Sequence, residues 1–261
     1  MNRTESLRFD RAVDYYDRTR ALSSTSMARI LPLLKDRFGV GPCLEIGVGT
    51  GRMALPLWEE GTAMIGLDLS RPMMRRLIAN AGGRMPFPLL VGNAEALPFD
   101  DDSFAGGLAV HVFHLIPEWR AAARELVRVV RPGGALVIDI GRQTRGPFRD
   151  LLAEFARAAA IEQDHRGVNE PAELDEAMSE LGCSTEGLEV FIESRSATYN
   201  NTIAALEEGT YSITWSADES TRKSAAEVTR RWAEGRYGDL TQNYDYHLAI
   251  ELRSYRLPPR G

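Results

Sequence analysis

The chain has 261 residues, 44% of them hydrophobic and 26% charged, a composition that supports one large folded core and excludes fibrous and disordered classes. Its net charge of −6 leaves no electrostatic footprint for nucleic acid or an anionic membrane, and suits a neutral or mildly polar small substrate. The two cysteines, Cys43 and Cys183, are far apart and lack a metal-ligand rhythm, so neither a disulfide framework nor a zinc site is expected, and a reducing cytoplasm fits.

The start, MNRTESLRFDR, is polar, with no apolar signal-type run. No later stretch reaches the roughly 18 uninterrupted apolar residues of a spanning helix, so a soluble protein is expected. Residues 9 to 38 read as one or two amphipathic helices, with Met27, Ile30, Leu31 and Leu34 on one face, ended by Gly39, Gly41 and Pro42. Short apolar runs then alternate with helical stretches. CLEIG is a first strand, TGRMALPLWEEG a short helix bent by Pro56, and AMIGLDLS a second strand. Ser70 stands at a helix-cap position, with Pro72 in the first turn of RPMMRRLIANAGG. FPLLVGNA and FAGGLAVHV follow as third and fourth strands. PEWRAAARELVRVV is a helix, and Pro132-Gly133-Gly134 turns into a fifth strand, ALVIDIG. Strands separated by helices of this length imply right-handed crossovers and a doubly wound, mostly parallel α/β sheet.

After Gly141 the rhythm loosens. An inserted helix is expected within 146–169, a sheet-covering helix at PAELDEAMSELGCS, and a strand at LEVFIESRSATY. Residues 200 to 240 read as helical. The segment YDYHLAIELRSYRL closes the sheet, with Tyr246, Leu248, Ile250 and Leu252 on one face. The expected layout is a single domain. Its core covers about 39–142, 170–198 and 241–258, and cap or lid elements cover 1–38, 143–169 and 199–240.

The run CLEIGVGTGRMALPL carries the chemistry. Gly47, Gly49 and Gly51 fall in the first strand-to-helix turn, where ligands of doubly wound folds bind beyond the carboxyl ends of the strands. They remove side chains where a ligand must approach the backbone, and the following helix offers free N–H groups. Asp68, about twenty residues after Gly47, ends the second strand, where a carboxylate accepts hydrogen bonds from vicinal ribose hydroxyls. The pair points to an adenosine-type ligand. Arg52 follows the third glycine, so the pattern is E-x-G-x-G-x-G, and the dinucleotide fingerprint fails at its last glycine.

These residues resemble the class I S-adenosylmethionine-dependent methyltransferases, in particular the branch containing ubiquinone and menaquinone biosynthesis enzymes. LEIGVGTG resembles the first motif of that family, LDLS its ribose-binding strand end, and GNAEALPFDDDSF its third-strand loop. LVRVVRPGGALVI resembles its helix, turn and fifth strand, so the likeness covers about residues 9 to 141. The resemblance implies a seven-stranded, mostly parallel, Rossmann-like sheet with helical cap insertions. It also implies S-adenosyl-L-methionine as cofactor and methyl transfer to a small molecule. By the same resemblance the turn Gly47, Val48, Gly49 and Gly51 lies along the methionine portion and sugar, and Glu45 reaches the methionine amino group. Asp68 holds the ribose, Asn93 and Ala94 meet the adenine edge, and Leu69 and Met73 pad its face, with Val110 also at the cofactor. Asn93 stands where many relatives carry aspartate. FDRAVDYYDRTR resembles a helix that folds over the cofactor, with Tyr16 at the lid position, while Asp17, Arg18 and Arg20 read as a solvated face.

His111 and His114 lie just beyond the fourth strand, with no third residue at metal-ligand spacing. His111 is the candidate general base for a hydroxyl or thiol acceptor, or a residue that shapes the pocket; His114 fixes the turn into the next helix. YNNTIAALEEGTYSITW is a candidate substrate cap, with Tyr199, Tyr211 and Trp215 as walls, or simply core. Two rivals stay open: a nicotinamide-dependent oxidoreductase, against which Arg52 argues, and a non-catalytic cofactor-binding module with a protein partner. Neither nucleic acid nor membrane is an expected partner, and the expected state is monomer or homodimer.

Overall fold

The computed structural model describes residues 9–143, 146–161, 167–168 and 170–259. Expectations for the polar start at residues 1–8, and for 162–166 and 169 of the inserted segment, lie outside the described residues. The chain divides into two compact units. The described residues of the larger lie within 2–141, 165–191 and 250–261, and those of the smaller within 142–164 and 192–249.

The larger unit opens with a short helix, α1 (Tyr16–Arg20), and then α2 (Ser24–Phe38), whose first turn is capped by the Ser23 hydroxyl accepting from Ser26 N–H at 3.1 Å. Ile30, Leu31, Leu34 and Phe38 recur at helical spacing and are buried, which fixes the face α2 turns inward. The strand β1 (Cys43–Ile46) is buried at every position, as expected of a central strand covered on both faces. It lies parallel between β2 (Met64–Asp68) and β4 (Phe104–Val110). β2 pairs in parallel with β3 (Leu89–Val91), and β4 with β5 (Val130–Asp139). The last strand, β8 (Asn243–Arg256), runs antiparallel to β5 through Arg253–Arg256 and also pairs with β7 (Ser184–Thr198). The order β3-β2-β1-β4-β5-β8 reverses direction between β1 and β4. That reversal opens a crevice beyond the carboxyl ends of those two strands.

Helices α3 (Ala54–Glu59), α4 (Arg71–Asn80), α5 (Trp119–Val129) and α7 (Pro171–Glu180) complete the layers. The α4 start is capped by the Ser70 hydroxyl, which accepts from Met73 N–H at 3.2 Å. On α5 the buried set Trp119, Ala122, Ala123, Leu126 and Val129 forms one stripe. Alternation along the strands sends Leu44, Ile46, Ile138 and Tyr255 into a core shared with α5 and α7. Cys43, Val137 and Leu252 enter a second core shared with α2, α3 and α4.

The smaller unit contains α6 (Pro147–Ala158), α8 (Tyr199–Glu208) and α9 (Glu219–Tyr237) around Phe148, Leu151, Phe155, Ile203 and Leu206. Small residues on α9, namely Ala225, Ala226 and Ala233, are buried and let the helices approach closely. A two-residue strand, β6 (Arg142–Gln143), pairs antiparallel with Ala249 and Leu248 of β8.

Three local features differ from the sequence reading. Pro56 lies in the first turn of α3, where proline is tolerated, and so does not bend the helix interior. The Pro132-Gly133-Gly134 segment is looped out within β5, which advances from Val130 to Ala135 while β4 advances only from Phe104 to Gly106. The short β6 adds an eighth strand among the described residues, beyond the seven expected.

Candidate functional site

The chain leaves β1 through Gly47, whose φ of +63° belongs to the left-handed region. A Cβ there would overlap the Val112 side chain, so glycine is required both by conformation and by space. Gly51, at φ +85°, is equally constrained, since a Cβ would come within 2.7 Å of Leu55 Cγ. Asp68 locks the turn from the neighbouring strand. Its Oδ2 accepts the Gly49 N–H at 2.8 Å and its Oδ1 accepts the Ser70 N–H at 2.8 Å. Burial pushes the Asp68 carboxyl upward, opposed by the N–H groups of Ser70, Gly49 and Leu69.

Beneath the turn, Glu45 is buried and its Oε2 has no partner among the described residues. Burial pushes its carboxyl up to about 8, with nearby Arg52 pulling the other way. A buried acceptor left unmade is a standing cost, which a cationic ligand group would remove.

The crevice is partly open to solvent. Ten of the residues singled out from sequence line it: Tyr16, Gly47, Gly49, Asp68, Leu69, Met73, Asn93, Ala94, Val110 and His111. Three do not. Val48 packs into the core under Gly66, Gly51 faces a neighbouring cavity, and Glu45 lies behind the turn. Sequence reasoning missed Phe9, Leu67, Gly92, Val112, Leu115 and Ile116, which complete the lining. Asn93 is held in its own short turn, its Oδ1 accepting the Glu95 N–H at 3.1 Å.

The N-terminal segment is fastened to this crevice. Phe9 and Tyr16 meet edge to face, with centroids 6.1 Å apart. Asp10 Oδ1 accepts the Ser70 hydroxyl at 2.6 Å. Asp17, expected on a solvated face, instead accepts from Arg76 Nε at 2.9 Å and from Asn80 Nδ2 at 3.1 Å. Arg52 Nη1 donates to the Arg20 carbonyl at 3.3 Å.

His111 follows β4 in the left-handed region, φ +59°, a conformation that side-chain-bearing residues rarely adopt. Its N–H donates to the Asp139 carbonyl at 2.8 Å, and its Nε2 lies 2.8 Å from Asp139 Oδ2. Burial drives the imidazole toward its neutral form, outweighing the upward pull of Asp139. The adjacent His111 ring and the Glu251 N–H, which donates to Oδ1 at 2.9 Å, keep Asp139 ionised against its own burial. His114 stands 6.5 Å from His111, centroid to centroid, and no group of three potential metal ligands occurs among the described residues. In the smaller unit, the candidate cap residues join that unit's own aromatic packing. Tyr199 stacks on Tyr237, Tyr211 meets Phe148 edge-on, and Trp215 is buried with its Nε1 donating to the Gly209 carbonyl.

A family model described as a methyltransferase domain matches residues 44–138, from β1 into β5. An uncharacterized protein of Mycobacterium tuberculosis is 35% identical over 131 residues, 49% of this chain. The match covers 47% of that relative, so the chain spans about half its length. Demethylmenaquinone methyltransferase of Renibacterium salmoninarum is 30% identical over 169 residues, which cover 63% of this chain and 70% of the relative. Among solved structures, the YcgJ protein of Bacillus subtilis shares the fold with a TM-score of 0.60 at 19% identity, covering 92% of this chain and 100% of that one.

Proposed function

The chain belongs to the class I S-adenosylmethionine-dependent methyltransferases, whose cofactor is S-adenosylmethionine, and on that footing we propose that it moves a methyl group to a nucleophilic atom of a small organic acceptor. The observation that carries this reading is the left-handed glycine turn, tied to Asp68 and backed by the buried Glu45, whose Oε2 has no partner among the described residues. The residues fit the cofactor at each end. Asp68 has lone pairs left for ribose hydroxyls, and Glu45 suits a cationic amine. Asn93 and Ala94 suit the adenine edge, and Leu69 and Met73 its face, with Tyr16 and Phe9 closing over the top.

The bound sulfonium supplies a methyl that is already electrophilic. The chain therefore needs chiefly to align the acceptor and keep water out. His111, at the crevice wall, is the residue assigned to deprotonation of the acceptor. Support for a small acceptor comes from the acidic overall charge and the relative named for demethylmenaquinone. No helix among the described residues is long and apolar enough to cross a membrane, in keeping with the proposed cytoplasmic setting.

The test is calorimetric binding of S-adenosylhomocysteine and NAD side by side, followed by labelled methyl transfer to a panel of quinols, phenols, amines and thiols. Selective S-adenosylhomocysteine binding with transfer to a panel member is expected. Preference for NAD, or cofactor binding with no transfer and a stable protein partner, would overturn it.

A further inference from the structure

The acid that follows an all-apolar strand stretch, Asp139 in ALVIDIG, is fully buried; its carbonyl accepts the His111 N–H, and its Oδ2 lies 2.8 Å from His111 Nε2, a close polar contact rather than an aligned hydrogen bond. The backbone of His111 is left-handed, a strain of the kind that persists only where surroundings over-determine it, and both Asp139 contacts bear on this residue. The ring is gripped along one edge. Nε2 faces Asp139, and Cδ2 and Nε2 face Gly141, where a Cβ would come within 3.0 Å of Cδ2. The side chain is nevertheless 23% exposed and lines the crevice while Nε2 is buried, which leaves Nδ1 as the ring nitrogen available to a bound acceptor.

We propose that Asp139 is a positioning residue that holds His111 in the Nε2–H tautomer, so that Nδ1 serves as proton acceptor for a substrate nucleophile bearing an O–H, N–H or S–H. The inference rests on the methyltransferase reading and narrows it to protic acceptors. An ionised carboxylate facing Nε2 demands a proton there, and a neutral imidazole protonated at Nε2 carries its lone pair on Nδ1. In the transfer, the electron pair of the acceptor's X–H bond forms the new X–C bond while the methyl–sulfur pair stays on sulfur. The proton passes to Nδ1, and the resulting imidazolium is stabilised by Asp139 until it is lost to water. Arg52 and Arg20, the other charged groups acting on the ring, disfavour the imidazolium and so keep the base free before transfer.

The experiment is nitrogen NMR of 15N-histidine-labelled protein near pH 7, with the His111 resonances assigned by their loss in His111→Gln. Wild type is expected to show neutral His111 protonated at Nε2. Asp139→Asn should reverse the tautomer, because the amide oxygen must still accept the Glu251 N–H and its NH2 then faces Nε2. S-adenosylhomocysteine affinity should stay within about twofold in Asp139→Asn. Transfer to a protic panel member should fall by the ~10²–10⁴-fold typical of a lost general base. A wild-type His111 protonated at Nδ1, or already an imidazolium at pH 7, overturns the proposal, as does an Asp139→Asn protein with an unchanged tautomer. If Asp139→Asn does not fold, the wild-type tautomer alone decides. Failure of wild type to bind S-adenosylhomocysteine would instead overturn the methyltransferase reading.

Discussion

Replacing Asp68 by alanine removes two functions at once, and their sizes follow from the geometry. In the free protein each carboxylate oxygen accepts one buried backbone N–H, from Gly49 and from Ser70, at 2.8 Å. Leaving a buried donor unpaired costs about 1–3 kcal/mol. Losing both therefore lowers stability by at least about 2 kcal/mol, less whatever water recovers. The remaining lone pairs are those offered to the ribose. A hydrogen bond to a charged acceptor contributes roughly 1.5–3 kcal/mol, so S-adenosylhomocysteine affinity should fall about 10- to 150-fold. Asp68→Asn separates the effects only in part. Its carbonyl oxygen can serve one N–H, while its NH2 confronts the other and offers the ribose no acceptor. Asparagine should accordingly bind nearly as poorly as alanine. The assay is isothermal calorimetry with S-adenosylhomocysteine, with thermal unfolding alongside. Affinity within twofold of wild type in Asp68→Ala would refute the placement of the cofactor at the switch point.

Because Glu45 carries a proton up to about pH 8 in the free protein, an amine-bearing ligand that needs the carboxylate must expel it. S-adenosylhomocysteine affinity should then rise as pH goes from 6 to 8, with proton release visible in buffers of different ionisation heat. Glu45→Gln should flatten both. The same shift, upward from 4.5, means the folded state holds an extra proton through that window, so stability falls as pH rises from about 4.5 to 8; denaturant midpoints in wild type and Glu45→Gln check the sign. Gly47→Ala combines a left-handed backbone with a clash against Val112 and should cost about 1–3 kcal/mol of stability, together with cofactor affinity; a wild-type melting curve would contradict the turn geometry. Asp10→Ala unpins the N-terminal segment from Ser70 and should raise the S-adenosylhomocysteine off-rate several-fold with little change in melting. An unaltered off-rate would argue that this segment is no lid.

The central strands and the turn were legible in the sequence because each is written locally. Four-residue apolar runs bounded by glycine must be covered on both faces, and three glycines at alternate positions leave little choice of backbone. Asp68 and Ser70 were legible for the same reason, each standing at an element boundary where its side chain has one local task. Pairings between distant segments were not legible. Asp10 meets Ser70, Asp17 meets Arg76, and Asp139 meets His111 only once the sheet order brings them together, and no periodicity encodes a partner. Asp139 did carry a signal: an acid in an otherwise apolar strand, which burial tolerates only with a partner. Phe9, Leu115 and Ile116 gave none, since apolar residues near a strand end read equally well as core.

The larger unit is stitched from three separated stretches, and its last stretch completes both faces of the sheet. Ile250 and Leu252 enter one core, and Tyr255 and Leu257 the other. A nascent chain paused on the ribosome before residue 250 would thus hold the finished glycine turn beside an unzipped β5, with apolar surface bare on either side. Folding of the ligand-binding half must therefore wait for residues 250–257, so apolar surface beside β5 stays bare while the smaller unit is being synthesised.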